Sequence, residues 1–149
     1  GIKGKKSVDS IHKELGHIMW EYVGMGRTEE GLKTALKLLK DIRKEFETNL
    51  FIPGSTEGVN IELEKALRLN DFITMGELIA YDALNRNESC GGHFREEYQT
   101  EEGEAKRDDE NYFYVSCWEY QGSDDVAPVL YKEPLVYEAI KVQTRNYKS

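Results

Sequence analysis

Residues 60–85, NIELEKALRLNDFITMGELIAYDALN, decide how this chain folds. Wound at about 100° per residue, their apolar side chains run most of the way round a helix. They are Ile61, Leu63, Ala66, Leu67, Leu69, Phe72, Ile73, Leu78, Ile79, Tyr81 and Leu84, and they leave only a narrow polar strip of Glu64, Arg68, Asp71 and Asp82. A helix apolar on nearly all sides is buried on nearly all sides. Two neighbouring helices cannot cover a third completely. Either the C-terminal segment folds back over this helix, or the helix meets a surface beyond these residues.

Two such neighbours precede it. In residues 7–23 the apolar positions Val8, Ile11, Leu15, Ile18, Met19 and Tyr22 recur at spacings of three and four, with Ser7 as N-cap and Gly24 and Gly26 as the stop. In residues 28–49 the stripe is Leu32, Ala35, Leu36, Leu39, Ile42 and Phe46, with Thr28 as N-cap. Glu29 and Glu30 follow in the first turn, where the helix dipole favours acids. Lys33, Lys37, Lys40, Lys44 and Glu47 face water. Pro53, Gly54 and Gly58 then separate the second helix from the third.

Downstream of residue 111 the period changes to two. Tyr112, Tyr114, Ser116, Trp118 and Tyr120 alternate with Phe113, Val115, Cys117 and Glu119, which is strand chemistry. Gln121-Gly122-Ser123-Asp124-Asp125 makes a turn. Residues 127–132 are the returning strand of a hairpin, Glu133-Pro134 interrupts it, and residues 135–142 add one more extended piece. A lone hairpin is marginal in water and needs a bundle or a partner to lie on.

Composition sets the bounds. The 149 residues form one domain, or one domain with an appendage, and 39% hydrophobic against 32% charged residues build a modest core. A net charge of −8 argues against a nucleic-acid partner and against direct docking on anionic lipid. No apolar run approaches the roughly 20 residues a membrane span needs. Cys90 and Cys117 lie in unrelated segments, so neither a disulfide framework nor a four-cysteine zinc site is supported; reduced thiols of a cytosolic protein are the plain reading. The chain begins Gly1-Ile2-Lys3-Gly4-Lys5-Lys6 without an initiator Met, a start expected of an excised piece of a longer protein.

Between helix and strand lies ESCGGHFREEYQTEEGEAKRDDEN, residues 88–111, the stretch richest in reactive side chains. Cys90 and His93 form C-x-x-H, half of a metal site or a thiol beside a base, but nothing else in the chain completes either. His12 and His17 are five apart and point to different sides of their helix, unlike a metal pair at a spacing of four. The acids of residues 96–110 lack calcium-loop spacing, and Glu101, Glu102 and Glu104 read as a solvated loop. Gly91 and Gly92 allow a tight reversal. Arg107, Asp108, Asp109, Glu110 and Asn111 supply many donors and acceptors at the joint between loop and strand. No G-x-G-x-x-G fingerprint is present, so no nucleotide fold can be built here.

These residues resemble the C-terminal region of the flavoprotein subunit of succinate dehydrogenase and fumarate reductase. Glu88, Ser89, Gly91, His93 and Arg95 match that family's E-S-R-G-A-H-x-R motif, and Arg107 to Asn111 match its R-D-D-E-N. Ile18-Met19-Trp20-Glu21 with Gly24 and Arg27, then Lys132-Glu133-Pro134-Leu135-Val136, and the ending with Arg145 and Tyr147 extend the likeness over nearly the whole chain. Cys90 stands where the family has Arg, Gly92 where it has Ala, and Tyr112 where it has Trp.

The resemblance implies a mainly α fold: a three-helix bundle of spectrin-repeat-like shape followed by a small C-terminal β-hairpin extension. Residues 1–6 are then a linker, 7–95 the bundle, and 96–149 an acidic loop and β extension packing on the bundle and on a FAD-binding part. It also implies a parent enzyme interconverting succinate and fumarate. That enzyme passes electrons from FAD to an iron–sulfur subunit and a cytochrome b membrane anchor, peripheral on the cytoplasmic face of the inner membrane. The family's flavin site and catalytic residues lie upstream, so the resemblance assigns this piece no catalytic, cofactor-binding or metal-binding residue. Glu88, Ser89, His93, Arg95, Arg107, Asp108, Asp109, Glu110 and Asn111 are then candidates for the interdomain seam. L-Aspartate oxidase has a similar bundle and motif but lacks the D-D-E-N and strand segment. A free-standing helical adaptor and a small metalloprotein using Cys90 and His93 are the readings from other classes.

Overall fold

The structure, a computed structural model, describes residues 3–55 and 57–143. Arg145 and Tyr147, which carry the end of the family likeness, lie outside them. The elements in order are β1 (Lys6–Ser7), α1 (Val8–Val23), α2 (Glu29–Asn49), β2 (Leu50–Phe51), α3 (Ile61–Asn85), α4 (Asp109–Tyr112), β3 (Tyr114–Glu119) and β4 (Val129–Pro134). Three long helices and an antiparallel hairpin give the mainly α bundle with its β extension.

Each long helix starts where the sequence supplies a cap. Ser7 Oγ accepts from the Ser10 amide (3.2 Å), Thr28 Oγ1 from Gly31 (3.0 Å) and Asn60 Oδ1 from Leu63 (3.1 Å). Each bond satisfies an amide the helix itself leaves orphaned, a gain of about 1 kcal/mol per cap. The stripes then meet. Val8, Ile11, Leu15 and Ile18 of α1 pack with Leu32, Ala35, Leu39 and Ile42 of α2, and with Ala66, Leu69, Ile73, Ala80 and Ala83 of α3.

The expectation that α3 is buried nearly all round needs correction within this chain. Its buried face is small-residue rich: Ala66, Gly76, Ala80 and Ala83 line it with Leu69 and Ile73. Larger apolar residues stand outside, among them Ile61, Phe72, Leu78 and Ile79, with Leu67 65% and Met75 55% exposed. Small side chains let the three helices approach closely; a Cβ on Gly76 would sit 3.2 Å from Met19 Sδ and 3.5 Å from Leu15 Cδ1. The C-terminal segment folds back over the last turns of α3, where the Trp118 indole donates to Asp82 (2.8 Å) and packs edge-on against Tyr81 (centroids 5.0 Å apart), and its turn reaches α2, where Asp124 pairs with Arg43 (3.3 Å).

The strands also differ from the pattern. Alternation was expected from Tyr112, but Asp108 caps a single helical turn, accepting from the Asn111 amide (3.1 Å), so the strand starts at Tyr114. The returning strand is Val129–Pro134 rather than 127–132, and Glu133-Pro134 does not interrupt it. Pro134 pairs with Tyr114 on the last rung, a strand end where a proline without N–H is tolerated. Residues 135–142 form no strand. Tyr114, Ser116 and Trp118 turn inward and Val115, Cys117 and Glu119 outward.

Near the N-terminus, β1 pairs in parallel with β2, and the Gly4 amide donates to the Leu50 carbonyl (2.8 Å). A Cβ on Gly4 would lie 1.9 Å from the Asn49 carbonyl carbon. Gly4→Ala is therefore expected to part β1 from β2 and cost about 2 kcal/mol. Lost exchange protection of the Gly4 amide, with the helices unaffected, is the measurement that checks it.

Candidate functional site: a clasp at one end of the bundle

The stretch from Arg86 to Glu97 ties three pieces together: the end of α3, the α1–α2 connection and the hairpin. It begins with a reversal. Cys90 and His93 exchange both backbone hydrogen bonds (2.8 and 3.0 Å) around Gly91, whose φ of +58° is a conformation L side chains rarely adopt. Residues 94–96 then pair with the α1–α2 connection: the Arg27 amide donates to the Phe94 carbonyl (3.0 Å) and the Glu96 amide to the Arg27 carbonyl (2.8 Å).

Arg95 is wholly buried. Its Nη1 donates to the carbonyls of Ala83 (3.1 Å) and Leu84 (3.3 Å), and its Nε to Glu97 Oε2 (3.0 Å). A guanidinium thus closes the carbonyl end of α3, where a cation is favoured. Glu97 reaches on to α2, its Oε1 accepting from the Glu29 amide (2.6 Å). Burial pushes the Glu97 carboxyl up, but that amide, its own amide and Arg95 together hold it below the usual range. Ser89, also wholly buried, accepts from the Arg95 amide (2.8 Å) and donates to the Arg95 carbonyl (3.1 Å).

Arg86 performs the same service for the hairpin. Nη1 donates to Glu88 Oε1 (2.9 Å) and the Tyr112 carbonyl (3.0 Å), and Nη2 to the Tyr114 carbonyl (3.0 Å) and Ser116 Oγ (3.3 Å). Buried Glu88 also accepts from the Asp108 amide (2.9 Å). His93 sits between two arginines: Nδ1 meets Arg27 Nη1 (3.0 Å) and Nε2 meets the Arg86 carbonyl (2.9 Å). Arg27 Nε in turn caps α1 through the carbonyls of Val23 and Gly24. Both ring nitrogens of His93 are occupied, so C-x-x-H is not a free ligand pair, and no cluster among the described residues gathers three metal-ligating side chains.

The nine candidate residues therefore fall into two groups. Glu88, Ser89, His93 and Arg95 form the interior of the clasp. Arg107, Asp108, Asp109, Glu110 and Asn111 lie at its rim: Arg107 holds Asp109 through two nitrogens and the Gln143 carbonyl (3.1 Å), Asp108 holds Asn111, and Glu110 faces solvent. Arg86 and Glu97, which do much of the joining, were not singled out from sequence. Arg86 follows the last apolar turn and Glu97 sits among exposed acids, so neither stands out in the pattern.

The structure is thus a three-helix bundle clasped at one end, with an uncovered apolar face on α3. Its sequence matches the model described as fumarate reductase flavoprotein C-term over residues 12–147. The chain belongs to that family, the C-terminal domain of fumarate reductase and succinate dehydrogenase flavoprotein subunits. It is 29% identical over 133 residues to the fumarate reductase flavoprotein subunit of Helicobacter pylori, covering 89% of this chain and 18% of that protein. With a chloroplastic L-aspartate oxidase of Nicotiana tabacum it shares 37% over 88 residues, 59% of this chain and 13% of the relative. A solved quinol–fumarate reductase with menaquinol superposes with a TM-score of 0.76 at 24% identity, over 94% of this chain and 23% of the other. The chain thus spans less than a fifth of the curated relatives.

Proposed function

We propose that this chain is the non-catalytic packing domain of a FAD enzyme interconverting succinate and fumarate. The extent of the match carries the reading: the fumarate reductase likeness runs over 133 residues, whereas the aspartate oxidase likeness runs over 88 to 97, too few to include both bundle and hairpin. The domain docks on the FAD-binding part of the same protein through the outer face of α3, and the rim residues from Arg107 to Asn111 flank the seam. Electrons leave the flavin for an iron–sulfur subunit and, through it, a cytochrome b anchor. The protein sits peripherally on the cytoplasmic face of the inner membrane. FAD is held upstream of this domain. None of the helices among the described residues is long and apolar enough to cross a membrane itself.

Physical support comes from the uncovered surface. Phe72, Met75, Leu78 and Ile79 on α3 stand open to water, as do Trp20 (83% exposed) on α1 and Met25 (91%) just after it, and exposed apolar faces of this kind mark interaction surfaces. Burying each side chain is worth about 1.5–3 kcal/mol. The double change Phe72→Glu and Met75→Glu is expected to leave the domain's own melting unchanged and to weaken assembly of the full-length flavoprotein at least tenfold, by about 1.4 kcal/mol or more. FAD content after gel filtration reads it. The isolated chain is expected to purify colourless; a stoichiometric flavin band would overturn the non-catalytic reading. The higher identity to L-aspartate oxidase supports the second reading, which turnover of L-aspartate rather than succinate by the full-length protein would establish.

A further inference from the structure

The clasp contains one group whose protonation state is dictated by its neighbours. An arginine can only donate and a carbonyl can only accept. Between Arg27 Nη1 and the Arg86 carbonyl, His93 must therefore be neutral, bare at Nδ1 and protonated at Nε2. A second proton goes to Nδ1, the atom that holds Arg27. It removes the acceptor and sets a cation against a guanidinium 3.0 Å away.

We propose that His93 makes the clasp a pH-sensitive joint, in which protonation at Nδ1 releases Arg27 and frees the α1–α2 connection from residues 93–96 while the three helices stay packed. The charges around the ring favour this response. Arg27 faces it from the α1–α2 connection, Arg86 from the end of α3, and Arg95 from the clasp itself. The carboxylates close by are committed elsewhere: Glu88 to Arg86, Glu97 to Arg95, and Asp82 to Trp118. Asp82 also acts electrostatically on Arg27. None of them is bonded to the imidazole.

Burial foremost, and then the three guanidinium groups, hold His93 below the ordinary histidine value of 6.5, against the raising effect of the Arg86 carbonyl. A group with a lowered native pKa binds its proton more readily once released. The joint is therefore complete above 6.5 and is lost as the pH falls through the lowered native value. Since Arg27 also caps α1, opening disturbs the segment bearing the exposed Met25. The inference needs only this chain's own contacts and stands whether or not the proposed parent reaction is correct.

Amide hydrogen exchange on the full chain tests it. Protection of the Arg27 and Glu96 amides, corrected for intrinsic exchange, is expected to fall about tenfold between about pH 7.5 and about pH 5, while the Leu39 amide in α2 holds. His93→Gln, whose amide can accept and donate in the same places, is expected to flatten the profile. Level protection in the unaltered protein overturns the proposal, as does an equal fall in the variant. If the variant does not fold, the ring nitrogen shifts of His93 in the unaltered protein decide. Titration at Nδ1 in step with the loss of Arg27 protection supports the joint, and a ring already protonated at Nδ1 near neutral pH overturns it.

Discussion

Replacing Arg95 with alanine is expected to destabilise the domain by about 3 kcal/mol. The loss has three parts. The carbonyls of Ala83 and Leu84 lose their donor, Glu97 loses its partner, and a wholly enclosed side chain leaves a cavity. Arg95→Lys is expected to recover only part of this, because an ammonium cannot reproduce the planar fork that serves two carbonyls and a carboxylate together. Urea unfolding at constant slope is the measurement. A loss below about 1 kcal/mol would show that water replaces the guanidinium, and the account of the clasp would fail. Asp109→Ala is the contrast: its carboxylate is half exposed in its pair with Arg107, so the bundle is expected to change by no more than about 0.5 kcal/mol. The two substitutions separate the clasp's interior from its rim.

The second large effect falls on the hairpin. Arg86→Ala removes the donor to the Tyr112 and Tyr114 carbonyls and leaves Glu88, 3% exposed, with a single amide partner. An unpaired carboxylate at that depth costs about 3 kcal/mol. A two-stranded hairpin has little stability of its own, so it is expected to undock rather than persist. Trp118 reports this, because its indole leaves Asp82 and the Tyr81 ring for water. Its emission is expected to shift to the red, while Trp20, already in water, contributes an unchanging background. Helix content should stay near its starting value. Undiminished exchange protection in β3 would show that the hairpin needs no arginine to hold it.

Much of this architecture was legible in the residues. Caps at Ser7 and Thr28 mark the starts of α1 and α2 because a short side-chain oxygen satisfies an orphan amide wherever it occurs. The stripes of α1 and α2 found their buried faces because each helix has one apolar side. Tyr114 to Glu119 alternate cleanly, and the structure keeps that strand. Where local signals compete, the pattern was less informative. Tyr112 and Phe113 fit the alternation, but the Asp108 cap takes Tyr112 into a helical turn that Phe113 ends. Pro134 reads as a break, yet the last rung of an edge strand asks nothing of its missing N–H. Within the candidate site, Ser89, His93 and Arg95 were found by motif. Arg86 and Glu97 were missed because their roles depend on carbonyls and amides brought near only by folding.

The sequence by itself determined that three helices and a hairpin form, where each helix begins, and that the third carries more apolar surface than two neighbours can cover. It could not determine which side of that helix turns inward, since a helix apolar nearly all round has little directional preference. Tertiary packing decided it: Ala66, Gly76, Ala80 and Ala83 permit the closest approach of α1 and α2, so the small residues went inside and Leu67, Phe72, Met75 and Ile79 stayed out. Only the fold likewise placed Arg95 under the open end of α3 and His93 between Arg27 and the Arg86 carbonyl. Partners separated by 12 residues in one case and 66 in the other share no local period from which their meeting could be read.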